Sequence, residues 1–70
     1  MTVKEALSII LANSHAPALN YAIAYAAEAM RMPANSEELR VQCLYVVSNI
    51  SHWRHPQAKE VRATLKEASK

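Results

Sequence analysis

Apolar residues recur every three or four positions along most of the chain, and three breaks divide this pattern into four segments. A proline lies in or next to each break, at Pro17, Pro33 and Pro56. Proline cannot continue a helix, but it suits the first turn of the next one. The three-to-four-residue period is typical of amphipathic helices. The sequence therefore predicts an all-α fold, a compact bundle of four short helices arranged as two antiparallel helical hairpins, in one domain over residues 1–70.

Capping signals give the predicted bounds of these helices. Thr2 and Glu5 have the spacing of a capping box, which starts a first helix over residues 3–12. The second helix is predicted from residue 17 to about 31. Asn35 or Ser36 caps the third, whose first turn is acidic and which ends before residue 51. The fourth is predicted from residue 56 to about 69.

The third helix is apolar on more than one side. Its main stripe contains Leu39, Cys43 and Val47, whereas Leu44 and Tyr45 lie well away from that stripe at 100° per residue. We therefore expect the third helix at the centre of the bundle, with surplus apolar surface left for a partner, because a small chain has little core to cover it. The predicted core comprises Leu7, Ile10, Leu11, Leu19, Ile23, Leu39, Cys43, Val47, Ile50, Val61 and Leu65.

The four aromatic residues are three tyrosines and one tryptophan, the types that protein interfaces favour. Both bury a large area while a polar atom stays in contact with water. We therefore predict a non-enzymatic protein-interaction module, with a second copy of the chain or another protein as partner. The candidate interface residues are Tyr21, Tyr25, Val41, Leu44, Tyr45 and Trp53.

Charge supports an alternative function. The net charge is only +2, but residues 54–70 carry five basic and two acidic residues. The third helix, the joint and the basic fourth helix resemble a helix-turn-helix in outline, which predicts nucleic-acid contacts at Arg54, Lys59, Arg62 and Lys66. Glu60 within the same segment and the small total charge argue against this alternative.

Candidate catalytic and metal-binding residues are few. Cys43 lies in mid-helix on an apolar stripe, where a free cysteine acts as a small hydrophobic residue. The Ser-His pairs at 14–15 and 51–52 lack an aspartate and a glycine-rich oxyanion loop. His52 and His55 are spaced to share a metal ion, but no carboxylate cluster accompanies them. We therefore expect no catalytic residue, metal, cofactor or small-molecule substrate.

The expected location is the cytoplasm. The single cysteine excludes an intramolecular disulfide, and the first 13 residues do not have the pattern of a secretion signal. No apolar run approaches the roughly 18 residues of a membrane span, so no membrane partner is expected.

One segment is similar to proteins of a known kind. Residues 41–54, with Leu-Tyr-Val, Asn and Trp-Arg elements, and residues 58–66, with Ala-Lys-Glu-Val-Arg, resemble small helical proteins encoded by phages and prophages, whose function is uncharacterised. The resemblance implies a mobile-element origin and binding to a host or viral protein assembly. It implies no catalytic residue.

Overall fold

Four α-helices and one short 3-10 turn make up the fold, which a computed structural model describes over all 70 residues. The helices are α1 (Val3–Ala12), α2 (Ile23–Ala29), α3 (Glu37–Ser48) and α4 (Ala58–Ala68), and the 3-10 turn Pro17–Leu19 precedes α2. There is no strand, so the predicted all-α class with four helices is confirmed. No helix combines the length and the apolar character needed to span a membrane.

Side-chain caps start α1 and α3 where the sequence predicts them. The Thr2 hydroxyl accepts from the Glu5 backbone N–H at 3.1 Å, and the Glu5 carboxylate accepts from the Thr2 N–H at 2.7 Å. The Ser36 hydroxyl accepts from the Leu39 N–H at 3.1 Å. Asn35 takes a positive φ of 62°, which asparagine tolerates, so Ser36 rather than Asn35 is the cap.

The second helix is shorter than predicted. The expected helix over residues 17–31 is interrupted, because residues 17–22 make tight hydrogen bonds three residues apart, including Ala22 N to Leu19 O at 2.9 Å. Asn20 and Tyr21, in the middle of this stretch, have lower helix propensity than the alanines around them. The tight turn places Leu19 in the core before α2 begins.

Each helix packs against two others: α1 contacts α2 and α4, and α3 contacts the same two helices. The fifteen buried residues form one apolar cluster. Leu11, Ile23 and Val47, predicted as core, are only partly buried, because the alanine face of α2 and Val46 of α3 occupy the centre instead. The buried cluster is Ala6, Leu7, Ile10, Leu19, Ala22, Ala26, Ala29, Leu39, Cys43, Val46, Ile50, Trp53, Ala58, Val61 and Leu65.

Helix α3 occupies a corner of the bundle, so the expectation that it lies at the centre was wrong. It packs on α2 and α4, and these two neighbours cover only its Leu39–Cys43–Val46 face. The opposite face, with Val41, Leu44 and Tyr45, is exposed. The surplus apolar surface predicted for this helix therefore lies on the outside of the folded chain.

Candidate interaction surfaces

Two tyrosines pair on the surface where α2 and α3 meet. The ring centroids of Tyr25 and Tyr45 are 5.6 Å apart with a tilt of 39° between the ring planes, a favourable aromatic arrangement. Their exposed fractions are 41% and 48%, respectively. Beside them, the Gln42 side-chain amide donates to the Tyr25 carbonyl at 3.0 Å and joins the two helices. Packing and a hydrogen bond thus hold both rings in place.

Two aliphatic side chains extend this surface along α3. Val41 is 36% exposed and Leu44 is 49% exposed, and both lie within one helical turn of Tyr45. We call the group Tyr25, Val41, Leu44 and Tyr45 the aromatic patch. Tyr21, the fifth exposed candidate, lies in the turn before α2 and is 80% exposed. It stands next to the patch in sequence but is not paired with another ring.

Trp53 is not available to a partner, which corrects its assignment to the predicted interface. Its side chain is buried, with 3% exposure, and its ring stacks on that of His55 with centroids 5.1 Å apart. The α3–α4 joint must close one end of the core, and Trp53 and Ile50 are the bulky apolar side chains that the joint supplies. Burial of the indole is therefore part of folding rather than of recognition.

The basic residues proposed for nucleic acid come together along the joint and α4. Arg54, Lys59 and Arg62 line a pocket of about 500 Å³ at the joint. Lys59, Arg62 and Lys66 line a groove of about 620 Å³ between α3 and α4, with Leu44 on its other wall. Since two residues line both cavities, the four cations form one continuous surface, which we call the basic band.

Arg62 also has a structural role that the sequence did not reveal. Its Nη1 donates to the Trp53 carbonyl at 2.9 Å and to the Ile50 carbonyl at 3.3 Å. Both carbonyls lie just after α3, where helical hydrogen bonding stops and acceptors need other donors. No sequence spacing signals such a contact across a joint, since it depends on how α4 folds back on α3.

Of the two acidic residues of α4, only Glu67 comes near the basic band, through Lys70, which also lines the groove. Glu60 is 3.7 Å from the N-terminal amine of Met1, which places its carboxylate toward the start of α1. Glu67 pairs with Lys70 at 3.1 Å. Neither glutamate lines the pocket or the groove. Glu60, which argued against nucleic-acid binding in the sequence, therefore does not line the basic surface of α4.

Of the remaining candidate residues, His52 and His55 both line the joint pocket, whereas Cys43 lies in the core. Cys43 is buried, and burial raises the pKa of its thiol, which disfavours the reactive thiolate. The His55 Nδ1 accepts from the Gln57 backbone N–H at 3.1 Å, so this nitrogen is engaged at the start of α4. No three histidine, cysteine or glutamate side chains come close enough together to hold a metal ion.

The aromatic patch and the basic band are thus the two surfaces from which a function can be inferred. They meet at Leu44, which belongs to the patch and also lines the groove. No protein-family model, no curated protein and no solved structure matches this chain.

Proposed function

We propose that this protein is a non-enzymatic protein-interaction module that self-associates through the aromatic patch. The observation that carries the proposal is the grouping of four large apolar side chains, each at least 36% exposed, on adjoining faces of α2 and α3. Single exposed apolar residues are ordinary, whereas a contiguous group is typical of an interface. Tyrosine is also among the residues that contribute most to binding at interface centres.

The distribution of charge around the patch favours a second copy as the partner. The first turn of α3 carries Glu37, which pairs with Arg40, and Glu38, which forms no ion pair, whereas Lys59 and Lys66 flank the C-terminal half of α3 across the groove. In a two-fold pair with antiparallel α3 helices, the acidic turn of each copy faces the basic flank of the other. The opposed helix dipoles also attract each other in that arrangement. The same surface is therefore complementary to itself.

The free energy of exposing the aromatic patch to water also favours a second copy of the chain as the partner. Burial of the exposed parts of two tyrosines, a leucine and a valine in a symmetric contact removes this apolar surface from both copies at once. The tyrosine hydroxyl groups stay near the edge, where water can solvate them.

A cytoplasmic location and a mobile-element origin belong to this proposal, and rest on the unpaired Cys43 and on the resemblance of residues 41–66 to small phage proteins.

A charged substitution in the patch tests the proposal. Tyr45→Glu places a carboxylate at the centre of the contact, and we expect the dimer to weaken by at least about 30-fold, the effect of losing a central interface residue. The measurement is sedimentation equilibrium, with circular dichroism to confirm that the variant remains folded. Ser8→Glu is the matched control, because Ser8 is exposed on α1, which does not pack beside α3.

Three outcomes are informative. A dimer that is lost in Tyr45→Glu and retained in Ser8→Glu supports the proposal. Equal association of the two folded variants contradicts it, since the patch would then lie outside the contact. If Tyr45→Glu unfolds, Leu44→Glu replaces it, because Leu44 is 49% exposed and takes part in no aromatic pair. A folded Leu44→Glu variant that still dimerises would contradict the proposal equally well.

A further inference from the structure

Four cations follow one another along one edge of the molecule, beside the aromatic patch. Arg54 lies in the joint and Lys59, Arg62 and Lys66 lie on α4, at intervals of three and four residues that place them on one helical face. From Lys59 to Lys66 the helix rises about 10 Å. The charges therefore form a row rather than a point, which suits a ligand with repeated negative charges.

The charge of this row is not neutralised within the protein. No glutamate lines the pocket or the groove: Glu60 pairs with the N-terminal amine, and Glu67 pairs with Lys70, a groove residue outside the row. Lys59, Lys66 and Arg54 are exposed and form no ion pair. Within one chain a polyanion would therefore meet free cations, whereas in the proposed dimer it would compete with the acidic turn of the second copy for Lys59 and Lys66.

Arg62 is held ready for such a ligand. Its Nη1 is fixed by the two carbonyls of the joint, while Nε and Nη2 make no hydrogen bond within the protein. A guanidinium with one nitrogen anchored loses little conformational freedom when its remaining donors bind, and its planar fork fits two oxygens of a phosphate. The fixed arginine lies between the pocket and the groove, where both parts of the row meet.

The chemistry of the joint pocket favours phosphate over an acidic protein segment. Six of its eight lining residues are polar or charged, and the two apolar ones, Trp53 and Ala58, are buried. An acidic helix of a partner protein would need exposed apolar side chains to anchor it; the groove offers Leu44 at one edge, but the joint pocket offers none. A compact, fully ionised group with several acceptor oxygens needs only cations and donors. The pocket provides these at Arg54, Lys59 and Arg62.

We propose that the basic band of Arg54, Lys59, Arg62 and Lys66 is a binding site for the phosphate backbone of a nucleic acid. The site contacts backbone rather than bases, because the row consists of two lysines and two arginines along one edge, without an exposed tyrosine or tryptophan ring within it. Binding is therefore expected to be independent of base sequence and strongly dependent on salt.

The test is fluorescence anisotropy of a labelled DNA duplex of about 20 base pairs, titrated with the full chain at several salt concentrations. Four phosphate contacts predict that affinity falls about 100-fold between roughly 50 and 200 mM salt. The double variant Lys59→Ala with Lys66→Ala keeps two contacts, so its affinity is lower and falls only about 10-fold over the same range. Arg31→Ala with Arg40→Ala is the control, since it removes the same charge from residues outside the band.

A steep salt dependence that becomes shallower only in the Lys59 and Lys66 variant supports the site. The proposal is overturned if no binding occurs at low salt, or if both double variants reduce the salt dependence equally. Polyglutamate of matched charge distinguishes phosphate from carboxylate: displacement of the duplex by polyglutamate as readily as by unlabelled DNA would assign the band to an acidic protein. Because Lys59 and Lys66 also flank the proposed dimer contact, the titration is repeated with Tyr45→Glu, which leaves the band unchanged: binding by this variant tests the nucleic-acid site without the dimer.

Discussion

Arg62 shows how one side chain can serve both folding and recognition. Its aliphatic part is partly buried on α4, and its Nη1 holds the carbonyls of Ile50 and Trp53 at the joint. The Ile50 carbonyl also accepts from the Trp53 N–H at 3.1 Å, whereas the Trp53 carbonyl would otherwise depend on water. The Nε and Nη2 donors of Arg62 make no hydrogen bond within the protein. Loss of this residue therefore affects the position of α4 on α3 as well as the charge of the surface.

The stability of Arg62 variants tests the structural role. We expect Arg62→Ala to lower the free energy of unfolding by about 2 kcal/mol, because it removes the only donor to the Trp53 carbonyl and the charged donor to the Ile50 carbonyl. Arg62→Lys should lose less, since an ammonium can still reach one of them. Arg31→Ala, an exposed control on the segment after α2, should change stability by less than about 0.5 kcal/mol. Urea unfolding measures the stability of all three variants. If Arg62→Ala is as stable as Arg31→Ala, the Arg62 side chain does not stabilise the joint.

Glu5 gives a pH-dependent prediction at the same scale. The Thr2 backbone N–H and then the Thr2 hydroxyl, as hydrogen-bonding groups, lower the pKa of the Glu5 carboxyl in the folded chain. A carboxyl with a lowered folded pKa stabilises the fold above its unfolded pKa, and this contribution is lost as pH falls through the folded pKa. The start of α1 should therefore loosen in acid before the core unfolds.

An NMR titration of the Glu5 side chain measures this effect. Thr2→Val removes the hydroxyl but keeps the backbone N–H, so the pKa of Glu5 should rise only part of the way toward its ordinary range. Hydrogen exchange of the first-turn amides of α1 should quicken over the same acidic range. An unaltered pKa in Thr2→Val would show that the Thr2 hydroxyl does not lower the pKa of Glu5 in solution.

At the scale of elements, α2 determines how closely the bundle packs. Ala22, Ala26 and Ala29 are fully buried at positions four and three residues apart, which gives α2 a face of small side chains toward α1 and α3. Small residues let neighbouring helices approach, so bulk is supplied by Leu7, Ile10 and Val46 from the other side. The short α2 depends on this packing, because seven residues are too few for a helix to be stable alone.

Enlarging one alanine tests the close packing. We expect Ala26→Leu to destabilise the fold by about 1–3 kcal/mol, since an added isobutyl group has no space in a packed core. Ala27→Leu is the matched control on the exposed face of the same helix, where leucine and alanine have similar helix propensity. Chemical denaturation measures both variants. If Ala26→Leu is as stable as Ala27→Leu, the helices are farther apart than the structure shows.

The elements also show which parts of the fold can be predicted from sequence. The starts of α1 and α3 were predicted correctly because a cap is a contact between residues three apart. The break before α2 was missed, since the periodic pattern does not distinguish a 3-10 turn from an α-helix. The burial of Trp53 and the contact of Arg62 with the joint carbonyls were not predicted, because both depend on how α4 returns to α3.

At the scale of the whole molecule, the exposed face of α3 connects the two proposed surfaces. Its apolar residues form the patch with Tyr25, and Leu44 lies at the boundary with the basic groove. A two-fold pair through α3 would bring the acidic first turn of one copy against this boundary in the other. Dimerisation and nucleic-acid binding would then draw on adjoining residues, with Lys59 and Lys66 shared between them.

Charge reversal tests the antiparallel arrangement. Glu38→Lys and Lys66→Glu, each alone, replace an attraction by a repulsion in both symmetry-related positions, and we expect each to weaken the dimer about 5-fold. Their combination restores opposite charges across the interface and should recover most of the lost affinity. Sedimentation equilibrium at low salt measures all three variants. Additive weakening in the double variant would exclude contact between these two regions.

The mass of the unmodified protein in solution tests self-association most directly. Light scattering over roughly 1 μM to 1 mM spans the affinities expected of a modest interface. Self-association through the aromatic patch predicts a mass that rises with concentration from 7.8 kDa toward twice that value. A mass of 7.8 kDa throughout the series would contradict self-association, because the patch would then remain exposed without a second copy to cover it.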